Sequence, residues 1–590
     1  MVVSLSARAA RAELPPSSYT HAYSRYEDEA IKFASAQLHA SVDPAPEGKR
    51  IESIEVIALD VIEPRDPAPA LLNVFHTTTR HPILIRESLL SVGEPYRKVL
   101  ADETARNLRR LPQLSLVVVA ALKGHRPDQV RLLLLTKDVW SLRLAWNAQY
   151  GAGGLQSLVM EPSERNLAGQ HETLLGRFVY DPAAFSLGLG YRVRRLQGHW
   201  LSFVVDGNVI VNQSRGAVEG SYGGASITRP LYSAQTEWSW GTGVAWRNDT
   251  VRRFVNAKVA VYRPTPDSAG VPWQYAARRV TESAFVTRSY GWAQKNDFTS
   301  GVEFNRRVYR VDTGPGDDPQ TVEAFVRARV PTSETRIGPY VQWHSYTANY
   351  LRVLDLETLG LQEDYGLGHD VLVRMYPVLE ALGSTRSLLG TFAAAQHTWK
   401  LGDGLFRAGV ETVTEWDGTR VTDGAVSGNV RLATPKFSWG RVVYDGAAVV
   451  RYENSLNRLS LLGGDTRLRG YPSNFLIGKN VVVSNLEWRT RPLQIFSIQL
   501  GGVLFYDMGD AYDDRLRLYH SVGVGFRALV PLLDRVVFRG DLGVPLSSGA
   551  GAPVALFFTF DQAFPVASVG SGTVGGSAGT APTLGGALGQ

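Results

Sequence analysis

The sequence predicts a mainly β fold in which a small α+β domain precedes a long antiparallel β region. The 590 residues include 58 glycines and 30 prolines, a content typical of an all-β protein with many turns. Residues 139–564 consist of short alternating segments separated by turn residues. Residues 51–138 instead mix helical and strand patterns, so the chain divides into at least two structural units.

The composition indicates a folded protein and excludes several kinds of site. Hydrophobic residues make up 44% of the chain and charged residues 20%, which is typical of a globular protein. Because the chain has no cysteine, it has no disulfides, thiolate metal ligands or cysteine nucleophiles. The net charge of +6 is spread along the chain, so we expect no nucleic-acid partner. No apolar run approaches the roughly 18 residues of a membrane helix.

The first 50 residues are predicted to be an extension ahead of the folded domains. Residues 1–12 resemble the remnant of a truncated signal peptide, because Ala10-Arg11-Ala12 resembles a signal-peptidase site. Residues 13–50 form an N-terminal segment in which Glu27–Ala40 has helical spacing. The run Asp43–Gly48 contains two prolines and is predicted to be a linker.

Residues 51–138 are predicted to form the small α+β domain. Ile51–Ile62 alternates as a strand, and two helical stretches follow at Ile83–Leu90 and Lys98–Leu111. Two further strands are predicted at Leu114–Leu122 and Gln129–Lys137. The resulting order is strand, helix, helix, strand, strand.

Residues 139–564 alternate between apolar and polar side chains in many short strands. In one of them Val302, Phe304 and Val308 share a face, and the residues between them are polar. This pattern suits both soluble β-sandwiches and a membrane barrel with a polar lumen. No break separates sandwich-sized units, which favours a transmembrane antiparallel β-barrel. Sixteen strands would leave about 27 residues for each strand and its connection.

The last part of the β region is predicted to be an amphipathic strand that closes the barrel. Leu556, Phe558, Phe560 and Phe564 share one face and give it an aromatic character, whereas the alternate residues are mostly small or polar. Residues 565–590 contain no charged residue and many glycines, so we expect a flexible Gly/Ser-rich tail there.

A glycine-rich segment and two strands after it carry the charged residues that are most informative about function. Arg469 lies in the glycine-rich segment Leu462–Pro472. Glu487 and Asp507 lie on the polar faces of the two strands. If those faces line a lumen, the two carboxylates are buried neighbours and need a cation. Arg469 could supply one with bidentate geometry, provided that its loop folds inward.

These residues resemble the motifs of a known superfamily, the outer-membrane assembly and translocation proteins of the BamA and TamA type (the bacterial surface antigen family), which also includes mitochondrial Sam-type proteins and two-partner secretion transporters. The segment Leu468-Arg469-Gly470-Tyr471 is similar to the inward-folded lumen loop of that superfamily. The barrel-wall partners implied by the resemblance are Glu487, Arg489, Phe505, Asp507 and Gly509. Residues 51–138 resemble one POTRA domain, and the strand with Phe558, Phe560 and Phe564 resembles a β-signal for barrel insertion.

The resemblance implies an integral protein of the bacterial outer membrane with its POTRA-like domain in the periplasm. Such a protein assists the insertion or translocation of other polypeptides. The implied partners are unfolded outer-membrane or secreted polypeptides, outer-membrane lipid, and periplasmic or accessory assembly subunits. Because this role makes and breaks no covalent bond, we expect no enzymatic activity, no cofactor and no metal site.

Two alternatives remain open at the level of sequence. The first is a two-partner-type secretion pore for one exported protein, since the helix Glu27–Ala40 and the linker after it resemble the plug region of those transporters. The second is a soluble multi-domain β-sandwich protein that acts in binding or adhesion.

Overall fold

A computed structural model shows a β-barrel with a small domain at one of its ends. The structure describes residues 23–560, except for 64–65, 67–68, 70, 72, 74–76, 152, 256, 465–466, 548 and 550–552. Within these ranges, no helix is both long and apolar enough to cross a bilayer.

The N-terminal domain is built on a three-stranded sheet. Its strands are β1 (Arg50–Leu59), β2 (Leu114–Lys123) and β3 (Gln129–Asp138), in the order β1-β3-β2. β1 runs parallel to β3, and β2 runs antiparallel to it. Because a parallel neighbour requires a crossover, the chain between β1 and β2 carries two helices.

Three helices accompany this sheet. They are α1 (Arg25–Gln37), α2 (His81–Arg86) and α3 (Lys98–Arg109). α1 starts two residues before the predicted Glu27 because Ser24 and Glu27 form a capping box. α2 has a proline in its first turn and ends at Arg86, so the helix expected at Ile83–Leu90 is shifted toward the N-terminus and shortened.

The two faces of the sheet are covered by different partners. Leu100 and Ala101 of α3 pack with Val130 and Leu132 on one face. α1 covers the other face through the apolar residues Tyr26, Ala30 and Ala34, which lie in one cluster with Leu116 and Leu133 of the sheet. That cluster also includes Leu359, Leu361 and Val537 from connections of the barrel and Leu529 from the end of β29. The domain and the barrel therefore share apolar packing.

The barrel is formed by long antiparallel strands. Strands β4 to β10 cover Leu142–Gly151, Gly154–Glu164, Glu172–Tyr180, Ala184–Val193, Ser202–Asn212, Val218–Arg229 and Trp238–Arg252. Strands β11 to β14 are the short pairs of a loop, at Phe254–Val255, Lys258–Val259, Val261–Tyr262 and Val271–Pro272. Strands β15 to β18 cover Gln274–Tyr290, Gln294–Arg310, Glu334–Thr347 and Asn349–Leu354, with helix α4 at Pro319–Arg329 between β16 and β17.

The remaining strands complete the circle. Strands β19 to β23 cover Gln362–Val378, Leu388–Leu401, Gly404–Trp416, Val421–Ala433 and Gly440–Asn454. Strands β24 and β25 are short, at Ser460–Leu462 and Leu476–Gly478. Strands β26 to β31 cover Asn480–Thr490, Leu493–Ile495, Ile498–Tyr512, Tyr519–Leu529, Phe538–Pro545 and Ala555–Phe560. β31 pairs with β4 and closes the barrel.

The barrel has twenty strand positions, so the prediction of sixteen is wrong. β17 and β18 continue one another along β19, and β26 and β27 do the same along β28. The predicted number assumed several long loops, but many connections are tight: Gly151 pairs with Gly154, and Leu401 pairs with Gly404. About 21 residues therefore suffice for each strand and its connection. A single closed barrel also replaces the alternative of several β-sandwiches.

Successive side chains point to opposite sides of the barrel wall. Large apolar residues on the outside are strongly exposed, with Leu189 at 68%, Val341 at 57% and Val302 at 56%. Charged residues such as Glu415 and Asp507, at 1% and 0% exposure, belong to the inner face. The wall thus has an apolar exterior and a polar interior.

The N-terminal domain contacts one end of the barrel, which we name the domain-side end; the opposite end is the distal end. Arg195, in the connection between β7 and β8, donates to Glu87 of the domain at 2.7 Å. Asn107 of α3 donates to the carbonyl of Tyr232 at 2.9 Å. Since antiparallel strands alternate in direction, the connection 355–361 also lies at the domain-side end and the connection 455–479 at the distal end.

Candidate functional site

The connection 455–479 folds from the distal end into the barrel. β24 and β25 pair with each other within this connection and bring the two arms of the loop together. Arg469, Leu468 and Tyr471, between these arms, have no solvent exposure. The sequence Leu468-Arg469-Gly470-Tyr471 therefore lies inside the barrel rather than in bulk solvent.

Arg469 binds two carboxylates on neighbouring strands. Its Nε donates to Asp507 Oδ2 at 2.8 Å, and its Nη2 donates to Asp507 Oδ1 at 2.8 Å. Its Nη1 donates to Glu487 Oε1 at 2.6 Å. Asp507 also accepts from the backbone amide of Arg469 at 3.1 Å. The bidentate contact fixes both the position and the orientation of the guanidinium plane.

Phe505 and Asp507 hold the guanidinium from two directions. They lie two residues apart on β28 and so point to the same side of the wall. The Arg469 Cζ atom is 3.6 Å from the centre of the Phe505 ring, which is a cation–π distance. The ring covers one face of the guanidinium while the carboxylates bind its edge.

Two glycines of the predicted motifs stand where a larger residue would not fit. Gly470 has φ of +111°, a conformation that favours glycine, and a Cβ there would lie 2.9 Å from Ser521 Cβ. A Cβ on Gly509 would lie 2.7 Å from the carbonyl oxygen of Val482. These positions allow the loop and the strands to approach closely.

The residues that flank Arg469 anchor the loop. Leu468 and Tyr471 pack in one apolar cluster with Leu462. The Tyr471 hydroxyl donates to the carbonyl of His520 at 2.9 Å and accepts from the amide of Ser547 at 3.1 Å. The loop is therefore attached to the distal ends of β29 and β30 as well as to the wall at Arg469.

Asp541 on β30 is a third carboxylate at the site, and the sequence analysis missed it. Arg469 Nη1 lies 3.4 Å from Asp541 Oδ2. Arg527 and Arg539 bind the same carboxylate at 2.6 and 2.7 Å. The alternation Arg539-x-Asp541 could have indicated that both side chains point into the barrel. Only the register of the strands places Asp541 beside Arg469.

Two chains of ion pairs connect the loop with the domain-side end. In the first, Arg489 donates to Glu487 at 2.8 Å and to the carbonyl of Leu356 at 2.8 Å. Leu356 belongs to the connection 355–361, whose apolar residues pack against α1. The Arg469 site thus reaches the interface with the N-terminal domain.

The second chain starts at Arg467. This arginine pairs with Asp445, which also lies 3.4 Å from Arg431. Arg431 donates to Glu357 at 2.9 Å, again in the connection 355–361. Arg467 differs from Arg469 in keeping 32% of its side chain exposed.

The site is a network of buried ion pairs. In the part of the chain that the structure describes, no three metal-ligating side chains come together. All of the carboxylates named at the site are bound by arginines. Removing one member of a buried ion pair destabilises a protein by about 3–5 kcal/mol, because the other charge is left unpaired. The arrangement can therefore hold the loop in one position.

The closing strand lies beside the first strand of the barrel. Phe558 and Phe560 project to the outside, where Phe558 is 6.3 Å from the Trp146 ring and Phe560 is 5.3 Å from the Phe538 ring. Phe564 lies outside the described residues. Within those residues, β31 pairs with β4 over Leu556–Phe558 alone, whereas β10 pairs with β15 along its whole length.

Comparisons with known proteins were made for the sequence and for the structure. No protein-family model and no curated protein sequence matches the chain. Solved structures do match. CdiB from Escherichia coli shares 12% identity over 95% of this chain and 93% of its own, with a TM-score of 0.40. BamA from Haemophilus ducreyi lacking POTRA domains 1–3 shares 12% over 88% and 89%, with a TM-score of 0.36.

CdiB from Acinetobacter baumannii is also similar, with 9% identity over 90% of this chain and 80% of its own and a TM-score of 0.37. The structural neighbours therefore include BamA and CdiB barrels. At these identities and TM-scores, the similarity assigns no function to this chain.

Proposed function

We propose that this protein is an integral β-barrel of the bacterial outer membrane that assists the insertion or translocation of other polypeptides. Membership of the BamA and TamA type of superfamily, implied by the sequence motifs, is part of the proposal. The observation that carries it is the contact of Arg469 with Asp507 and Glu487 inside the barrel, because it joins three separate motifs in one place. The apolar exterior of the wall supports a position in a membrane.

The seam at which the first and last barrel strands, β4 and β31, pair is the proposed place of strand addition. Opening the barrel there would separate these two strands. Once separated, both edges present unpaired backbone groups. An incoming client strand can pair with such an edge, with backbone hydrogen bonds supplying affinity for many sequences.

The N-terminal domain is proposed to receive the client as a POTRA-like domain in the periplasm. Its elements follow the order strand, helix, helix, strand, strand, and β1 and β2 are the edges of its sheet. An extended polypeptide can add to such an edge in the same way as at the seam. The domain contacts the domain-side end of the barrel, so a client bound to the domain would be close to the lumen and to the barrel wall.

A secretion pore for one exported protein is the second candidate. The observation that favours it is the position of α1, which packs against Leu359 and Leu361 at the domain-side end of the barrel. A helix placed there suits a plug that moves when a partner arrives. In this role the Arg469 site would hold the loop in the same way.

Depletion of the protein in its own host tests both candidates. Loss of many outer-membrane proteins from the cell envelope supports a general insertion role, and loss of one secreted protein supports the secretion pore. An unchanged inventory of outer-membrane and secreted proteins would contradict both.

Complementation of the depleted cells with variants tests the site. Arg469→Ala should fail to restore the missing proteins, because it leaves the Glu487 and Asp507 carboxylates buried without their cation. Arg467→Ala is the matched control from the same loop; its side chain is partly exposed, so it should retain most of the activity. Equal activity of the two variants would refute the role of the inward loop. Immunoblots for protein level separate loss of function from loss of the barrel.

A further inference from the structure

A cavity lies on the wall formed by β16, β17, β19, β20 and β21, and Arg458 of the inward loop also lines it. Its volume is about 380 Å³, within the usual range of small-molecule pockets. The wall strands that line it are separate from the β26, β28 and β30 segments that bind Arg469. The cavity therefore does not belong to the Arg469 site.

Arginines outnumber acids in the lining of this cavity. Its charged residues are Arg307, Arg336, Arg374, Arg458, Glu303 and Glu415. Both acids are already paired. Glu415 accepts two hydrogen bonds from Arg336, at 2.5 and 2.8 Å, and Glu303 pairs with Arg374.

Arg307 and Arg458 are less tightly paired than Arg336 and Arg374. The Nε of Arg307 donates to Asn305 Oδ1 at 2.9 Å, and its cross-strand neighbour Glu334 is bound by Arg336. The carboxylate nearest to Arg458 is Asp423, at 3.9 Å. Both arginines line the same cavity. An anion bound there could form charge-assisted hydrogen bonds with both of them.

Aromatic and apolar residues form the rest of the lining. Tyr376 and Phe392 line the cavity. The Tyr376 hydroxyl is engaged by Glu415 at 2.9 Å, which holds the ring in place. The volume exceeds the need of an inorganic phosphate, and the aromatic lining suits an apolar group.

We propose that this cavity binds a small soluble organic anion, a phosphate or carboxylate attached to an aromatic or apolar group. Arg307 and Arg458 would bind the anionic group, and Tyr376 and Phe392 would contact the apolar part. A soluble ligand is favoured over a lipid because the wall arginines of the cavity alternate with exposed apolar residues along their strands and therefore lie on the inner face of the wall, as Arg307 does beside Val302 and Val308. The proposal does not depend on the insertion or secretion function.

Calorimetric titration of the full chain in detergent tests the site with phenyl phosphate as the probe. Phenyl phosphate should bind, and benzyl alcohol, which is similar in size but uncharged, should not. Arg307→Gln should weaken binding about tenfold or more, because it removes one of the two charges that would bind the anion. Arg310→Gln is the matched control: it lies on the same strand, is 74% exposed, and pairs with Asp312 outside the cavity. It should leave the affinity unchanged.

Several outcomes would overturn the proposal. One is the absence of phenyl phosphate binding by the unaltered protein up to about 10 mM, a weaker affinity than specific sites show. A second is equal weakening by Arg307→Gln and Arg310→Gln. A third is binding of dihexanoyl phosphatidic acid without binding of phenyl phosphate, which would indicate a lipid site. If Arg307→Gln does not fold, Arg458→Gln, in the loop rather than in a strand, replaces it with the same expectation.

Discussion

Arg469 is the residue at which the loop and the wall are joined most tightly. Its guanidinium binds Asp507 through two atoms and Glu487 through a third. Lysine could not reproduce this geometry, because a single ammonium group cannot bind two carboxylates in fixed planes. Phe505 adds a contact with the face of the guanidinium, which further favours arginine at this position.

Charge reversal tests whether Arg469 and Asp507 act as a pair. Arg469→Asp alone and Asp507→Arg alone should each destabilise the barrel by about 3–5 kcal/mol, because each places like charges together in a buried site. The double variant should recover part of that loss. The temperature at which the folded, heat-modifiable band disappears from SDS gels measures the effect.

Asp541 supplies the control for this experiment. It is 3.4 Å from Arg469 but is also bound by Arg527 and Arg539. Arg469→Asp combined with Asp541→Arg should therefore show no recovery. Equal recovery in both double variants would mean that Asp507 is not the specific partner.

The sequence indicated which of these residues point into the barrel, but it did not identify every residue that contacts Arg469. Alternation along β26 and β28 sufficed to place Glu487 and Asp507 on inner faces, and the need of two buried carboxylates for a cation pointed to Arg469. Asp541 was missed because its approach to Arg469 depends on how four strands are staggered. The stagger between strands depends on the whole barrel, so it cannot be predicted from the sequence of a single strand.

The seam between β31 and β4 is the element on which strand addition depends. Ala148 and Phe558 are direct partners there, and both face the outside. Since the native chain has no cysteine, a pair of introduced cysteines can form only one disulfide within a molecule. The seam can therefore be closed covalently without side reactions.

Closing the seam should abolish client insertion. Ala148→Cys with Phe558→Cys should block the activity under oxidising conditions, and a reductant should restore it, because the client can no longer reach the strand edges. Ala284→Cys with Val302→Cys is the control, since these residues are partners between β15 and β16, far from the seam. Unimpaired insertion with the seam disulfide formed would contradict lateral opening. Pulse-labelled assembly of an outer-membrane protein is the measurement.

The sequence predicted the existence of helices and strands better than it predicted their ends and their number. The capping box Ser24-x-x-Glu27 could have given the true start of α1, but the helix was placed from its apolar spacing alone. Strands such as Gly440–Asn454 stood out because their alternation is regular. The number of strands was wrong because a tight turn such as 402–403 contains too few residues to distinguish two strands from one interrupted strand.

At the scale of the whole molecule, the N-terminal domain is attached to the barrel by a buried polar contact as well as by apolar packing. His171, in the connection between β5 and β6, lies with its Nε2 2.9 Å from Thr79 Oγ1. Thr79 in turn donates to Asp138 at the end of β3. Burial lowers the pKa of His171 to about 4, and the charges of Asp138, Arg194 and Arg86 act on it more weakly.

Docking of the domain should therefore weaken in mild acid. A histidine exposed by undocking titrates near 6.5, so the undocked state binds more protons as the pH falls from about 6.5 toward 4. At pH 5 the free energy that favours the docked over the undocked state is about 2 kcal/mol smaller than at neutral pH. This contribution is fully present above pH 7. The unfolding midpoint of the detergent-solubilised protein at pH 7.5, 6 and 5 measures the change. His171→Gln, which does not titrate, should show a flatter profile; an identical profile would contradict the assignment.

Twenty strands give this barrel a larger circumference than sixteen would, since diameter grows with strand number. Arg467 and Arg469 of the inward loop bind carboxylates on the arc that carries Asp445, Glu487, Asp507 and Asp541. The cavity beside Arg307 lies on a different arc, and Arg458 of the same loop also lines it. One loop therefore borders two separate regions of the interior. Substitution of Arg307 in the wall can alter the cavity without removing a member of the Arg469 ion pairs.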